Sequence, residues 1–149
     1  MTETSAKDAL TLIEKLLVQE GGRKPPPYPS VFIKGSHSIA DCYEDITIPE
    51  IVVSHDGQLD YEGEMCIVIG KTGKDIPKDK VLEHVSGYAT GNDVSSRRWQ
   101  KDPAYAGGVP QWNFAKGFDK WCPVGPQLVS PKVCNLPVPN ILTNPAVSL

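Results

Sequence analysis

From Gly21 onward, proline and glycine recur too often for any long regular element to form. Gly21-Gly22, "RKPPPYPS", Pro49, Gly57, Gly70, Gly87, Gly107-Gly108 with Pro110, and Pro123, Gly125 and Pro126 cut the chain into short pieces. A proline lacks the amide donor that helix and sheet both need, and glycine tends to end what precedes it. Only residues 5–20 leave room for a helix of several turns. There Ala6, Ala9, Leu10, Ile13, Leu16 and Leu17 make one apolar face, and Ser5 with Asp8 resembles a cap. Strands are expected at 31–33, around 46–53, at 61–69 and in "YATGNDV". "IPKDKVLEHVSG" predicts a short helix, with Pro77 in its first turn, Val81, Leu82 and Val85 on one face, and Gly87 just past its end. "SHDGQ" predicts a turn, Gly107 to Pro110 a loop, and Phe118 to Val129 an irregular strand-and-turn segment. The expected fold class is mainly β with short helices, α+β.

The 149 residues suffice for one domain with a real core. A net charge of -3 and scattered Lys and Arg argue against nucleic acid, with only Arg97, Arg98 and Lys101 closely grouped. No apolar run is long enough to span a bilayer, so no membrane partner is expected. "MTETSAKDAL" has neither a signal peptide's apolar core nor a transit peptide's Arg-rich character, which points to the cytoplasm. A mitochondrial location is the alternative if the N-terminus is incomplete. Cys42, Cys66, Cys122 and Cys134 form no C-x-x-C pair, and read as reduced structural thiols with Cys66 in the core.

Three segments concentrate chemistry. In "LDYEGEMCIVIGK", Glu62 and Glu64 stand at the mouth of an apolar run that reads as a buried strand. Residues i and i+2 of a strand share a face, so the two carboxylates project together. Like charges that close repel unless a cation lies between them, although a Glu-x-Glu pair is also common on solvated strands. "GYATGNDVSSRRWQ" ends a strand at Asn92 and Asp93, equally the composition of a turn. In "QWNFAKGFDKWCPVGP", Lys116 lies among Trp112, Phe114, Phe118 and Trp121, where a lysine stem also packs without any further role.

Together these segments resemble the fumarylacetoacetate hydrolase family. "DYEGEMCIVIGK" matches that family's D-Y-E-x-E-L-A-V-V-I-G-K, and "GYATGNDVSSRRWQ" matches G-Y-x-x-x-N-D-V-S-A-R-x-x-Q except at Ser96. "QWNFAKGFDKWCPVGP" matches Q-W-x-x-x-K-S-F-D-x-F-x-P-L-G-P except at Gly117, Trp121 and Val124. "PYPSVFIKG" resembles Y-P-x-x-F-x-K-P, with Gly35 for the proline. The resemblance runs from Glu20 to Val133 and implies a partial rolled-β fold over 23–133. That segment is preceded by an N-terminal helix (1–22) in place of the family lid and followed by a divergent proline-rich tail (134–149).

The resemblance implies that Glu62, Glu64 and Asp93 ligate a divalent metal. An all-oxygen set suits Mg2+ or Mn2+, with Ca2+ a further candidate. It implies that Lys116 holds a substrate oxygen and that Gln111 and Trp112 line the pocket with it. Ser95 and Arg97 occupy motif positions with a structural role as the alternative. The substrates implied are small 2-oxo or 2,4-dioxo acids. The metal would stabilise an enolate common to acylpyruvate hydrolysis and to oxaloacetate decarboxylation or tautomerisation. Two departures oppose full activity. In the family's N-Y-x-x-H-x-x-E segment Glu20 falls on the catalytic Glu, but Leu17 falls on the His, and leucine exchanges no proton. Nothing after Val133 matches the family's later T-L-x-P-G-D motif. The rival expectation is therefore a truncated, non-catalytic remnant or interaction subunit that keeps the metal motif. A homodimer, or pairing with a full-length relative, is the expected assembly.

Overall fold

A computed structural model describes residues 31–133. The expected helix at 5–20, Glu20, Leu17 and the proline-rich tail lie outside the described residues. The described chain falls into two units. One comprises residues 31–71 and 85–133, and Thr72–His84 belong to the other. In the latter, the helix expected from "IPKDKVLEHVSG" is only a 3-10 turn, Val81–His84.

The larger unit is built on a four-stranded sheet in the order β1-β6-β4-β3. Its strands are β1 (Ile39–Asp41), β3 (Gly63–Ile69), β4 (Val85–Asn92) and β6 (Cys122–Val124). β1 and β6 run parallel, and the other two pairings are antiparallel. A second, two-stranded sheet pairs β2 (Leu59–Asp60) with β5 (Ser95–Ser96). One-turn helices fill the connections: α1 (Glu50–Val53), α2 (Arg97–Lys101), α3 (Pro103–Ala106) and α4 (Trp112–Lys116). This is the mixed α+β class expected.

Several local expectations change. Residues 31–33 are not a strand; the Ile33 amide donates to the Asn113 side chain, and Val31 and Ile33 are exposed. The strand expected around 46–53 is partly α1. Pro49 is extended and caps that turn, its carbonyl accepting from Val52 and Val53, so the proline starts a helix rather than breaking a strand. β3 forms as expected but is the edge of its sheet, with Met65, Val68 and Ile69 exposed rather than buried. Cys66 is half-buried, not core. The turn at "SHDGQ" holds, with positive φ at Asp56 and Gln58.

Gly87 lies inside β4, not past a helix. An added Cβ there would sit 2.7 Å from a Leu128 methyl and 2.9 Å from the Val129 carbonyl. The close approach explains the glycine, because Tyr88 pairs with Val129 through both backbone hydrogen bonds. Gly87→Ala should therefore lower the urea midpoint, by about 1–3 kcal/mol of stability from overpacking. A midpoint equal to the parent's would show that the 128–129 segment yields freely.

The core of this unit is Trp121 with Val52 and Val94, flanked by Ile46, Trp99 and Phe118. Trp121 is completely buried, and its indole N–H donates to the Thr47 carbonyl at 2.8 Å. A run of edge-to-face and tilted rings extends from it through Phe118, Phe114 and Trp99 to Tyr105, with centroids 4.7–5.4 Å apart. This run ties α2, α3 and α4 to the core, and α4 carries Lys116.

Candidate functional site

β3 and β4 place the acids. Their register sets Glu64 opposite Gly91 and Cys66 opposite Ala89, so these four residues share a face. Asp93 follows directly after β4, and its amide donates to the Glu62 carbonyl at 2.8 Å. Asn92 reinforces the junction by accepting from the Glu62 amide at 3.1 Å. The chain thus clamps the residue before β3 onto the residue after β4, which brings Glu62 and Asp93 together although they are 31 positions apart in sequence.

Lys116 binds both. Its Nζ lies 2.6 Å from Glu62 Oε1 and also contacts Asp93 Oδ2. It is 3% exposed and sits over the Phe32 ring, 4.8 Å from the centroid. A lysine this buried is rare without a partner. Lys34 holds the other Asp93 oxygen, Oδ1, at 2.5 Å, and donates to the Val94 carbonyl at 3.1 Å. Glu62 is further fixed by Arg97 at 3.0 Å and by the Ser95 hydroxyl at 2.8 Å, with the Asp93 carbonyl 2.9 Å away as that hydroxyl's alternative acceptor. Arg97 also reaches Asp60 and Gln100, at 2.9 Å each.

Electrostatics divide the two glutamates. Burial works to raise the Glu62 pKa, but hydrogen bonds from Lys116 and Ser95 and the charges of Lys116 and Arg97 carry it below the ordinary carboxylate value. Glu64 moves up, through burial first and then the negative charge of Asp93. It makes no hydrogen bond or ion pair among the described residues, so one carboxylate of the three stays uncommitted.

Glu64 and Asp93 border a cavity of about 180 Å3, with Lys34 and Asn92 beside them. Phe32, Cys66, Gly91 and Cys122 form its less polar wall. Burial pushes both thiols up, so they stay protonated. Gly91 keeps the cavity floor low, since a Cβ there would lie 2.4 Å from Cys66 Sγ. Trp112 packs edge-on against Phe32, 5.6 Å between centroids. Gln111 borders α4 rather than the cavity, and its side-chain amide reaches the Ala106 carbonyl at 3.5 Å.

The structure thus gathers Glu62, Asp93 and Lys116 in direct contact and Glu64 at the adjoining cavity. Ser95 and Arg97, read from sequence as motif positions only, both bind Glu62. Lys34 was missed; its signal was the lysine of the F-x-K segment, which carries no chemistry until the coil folds back on Asp93. Among the described residues, no three acidic, histidine or cysteine side chains converge closely enough to hold an ion as they stand. The donor chemistry nevertheless fits a hard divalent cation, being three carboxylates with Glu64 uncommitted.

The family model described as "Fumarylacetoacetate (FAA) hydrolase C-terminal" matches residues 8–140. The chain belongs to the fumarylacetoacetate hydrolase family. The mitochondrial oxaloacetate tautomerase fahd2 of Xenopus laevis is 38% identical over 112 residues, covering 75% of this chain and 33% of that relative. The human mitochondrial oxaloacetate tautomerase FAHD2A is 36% identical over 105 residues, 70% of this chain and 31% of the relative. Among solved structures, a 5-carboxymethyl-2-hydroxymuconate delta-isomerase from Mycobacterium smegmatis superposes with a TM-score of 0.59 at 36% identity, over 71% of this chain and 38% of that one. The chain spans about a third to two fifths of the length of the curated relatives it matches. No helix among the described residues is long and apolar enough to cross a membrane.

Proposed function

We propose that this site binds small 2-oxo acids and promotes the keto–enol tautomerisation of oxaloacetate-like substrates. The observation that carries the reading is the buried Lys116 ammonium held between Glu62 and Asp93, next to a cavity bordered by the uncommitted Glu64. Membership of the family and the tautomerase names of two relatives support it.

Glu62, Glu64 and Asp93 would hold a divalent cation, Mg2+ or Mn2+. When bound, such a cation supplies Lewis-acid polarisation of a 2-oxo group. The chain's own residues do the remainder. Ser95 and Arg97 orient Glu62. Lys34 and Lys116 offer ammonium donors to an oxygen that gains negative charge as the enol oxygen forms. Phe32, backed by Trp112, screens that region from water. Tautomerisation is favoured over acylpyruvate hydrolysis because hydrolysis needs an activated water, and Leu17 stands where the family carries the histidine that activates it.

A second reading, a non-catalytic binding chain, is favoured by one observation: Asp93 has an ammonium group on each of its oxygens. The loss of oxaloacetate enol absorbance, followed with and without Mg2+ or Mn2+, separates the two. A cation-dependent acceleration over buffer is expected. A rate equal to buffer with either cation would establish the non-catalytic reading.

A further inference from the structure

Lys34 lies in a stretch without helix or strand, and its contacts differ in kind from those of Lys116. Lys116 is enclosed by Glu62, Asp93 and the Phe32 ring. Lys34 has one carboxylate partner, Asp93 Oδ1, and one carbonyl, that of Val94. Lys34 borders the same cavity as Glu64 and Asp93. One Asp93 carboxylate oxygen at this cavity is therefore already paired with an ammonium group.

We propose that Lys34 is a built-in competitor for the divalent cation, whose ammonium must leave Asp93 Oδ1 before a metal ion binds between Glu64 and Asp93. The inference rests on the cation-binding reading of this site given above. Coulomb's law sets the direction. An ammonium within ion-pair distance of a ligand oxygen both occupies that oxygen and repels a second cation. Lys116 keeps Asp93 compensated from the other side, so removing the Lys34 charge leaves the carboxylate partnered and the fold supported.

The test is Mn2+ binding, read from the free-ion electron paramagnetic resonance signal and from the thermal midpoint, in the parent chain, Lys34→Met and Lys34→Gln. Glutamine retains a hydrogen-bond donor and removes only the charge, so it serves if methionine does not fold. Mn2+ affinity should rise on the order of tenfold or more in the neutral variants, the effect of deleting one partly buried charge. Glu64→Gln should abolish binding in every background. Unchanged or weaker Mn2+ binding in the neutral variants, with binding intact in the parent, would overturn this inference alone and make Lys34 a support for Asp93. Mn2+ binding that survives Glu64→Gln would also overturn it. Failure of the parent and all variants to bind Mn2+ would remove the cation-binding reading itself, and this inference with it.

Discussion

Lys116→Met should destabilise the chain by about 3 kcal/mol or more at neutral pH, measured by urea unfolding. Removing one partner of a buried ion pair typically costs about 3–5 kcal/mol, because the remaining charge stays buried without compensation. Here Asp93 is 5% exposed and loses its Oδ2 partner, while Lys34 remains on Oδ1, which places the expected value at the lower end. Glu62 is more exposed and keeps Ser95 and Arg97, so it adds less. The pH dependence has a definite sign. The Glu62 pKa is depressed in the folded chain, with Lys116 the leading cause of lowering, so its contribution is present above the ordinary carboxylate pKa. It is lost as pH falls through the depressed folded value. The deficit of the variant should accordingly be full at neutral pH and shrink in acid. Asp93→Asn in the same chain should recover only part of the loss, since it removes the half-paired carboxylate but leaves Lys34 without its carboxylate partner. Strict additivity of the two substitutions would show that the bridge is not the source. Millimolar Mn2+ should also recover stability if a cation takes the vacated place, because a ligand that binds only the folded state raises its apparent stability.

The same cluster shows what a sequence reveals and what it hides. The motifs pointed to Glu62, Glu64, Asp93 and Lys116 together, and strand alternation alone put Glu62 and Glu64 on one face; the pairing of Glu64 with Gly91 came only from the register. β3 and β4 were legible because an alternating or continuous apolar run between glycines leaves few alternatives. Whether such a run is central or at an edge was not, since strand propensity measures fit to a pleated surface and not the number of neighbours. The helices α2, α3 and α4 were missed because each is four or five residues long. A 3.6-residue period cannot declare itself in one turn, and these turns are held by the ring contacts of Trp99, Tyr105 and Phe114. Pro49 misled for a related reason. Read as marking an edge strand or a break, it caps α1, and only the fold decides between those uses. Lys34 is the clearest loss, as no local pattern announces that a coil will return to a carboxylate 59 residues away.

Trp121→Ala should have the largest effect on the fold, about 3–5 kcal/mol, the usual range for emptying a buried aromatic site. Trp121 is fully buried and joins the residues on which the site depends. Its backbone carbonyl accepts from the Val94 amide at 3.1 Å, one residue from Asp93, and its ring abuts Phe118 at 4.7 Å. Truncation removes contacts to Val52, Val94 and Phe118 together and leaves the Thr47 carbonyl without its donor. Native domains hold only about 5–15 kcal/mol in total, so a large share of the folded population is at risk. Trp121→Phe separates packing from hydrogen bonding. Phenylalanine is the residue the family pattern carries at this position, and it keeps a ring against Phe118 while dropping the indole N–H. Its cost should be smaller, about 1–2 kcal/mol, from the lost bond to Thr47 and partial underfilling. Urea unfolding followed by far-UV circular dichroism measures both variants without relying on the tryptophan removed. If alanine and phenylalanine lower the midpoint equally, the Thr47 hydrogen bond rather than ring packing holds this corner. If neither lowers it, Trp121 does not anchor the segment that delivers Val94 and Asp93 to the site.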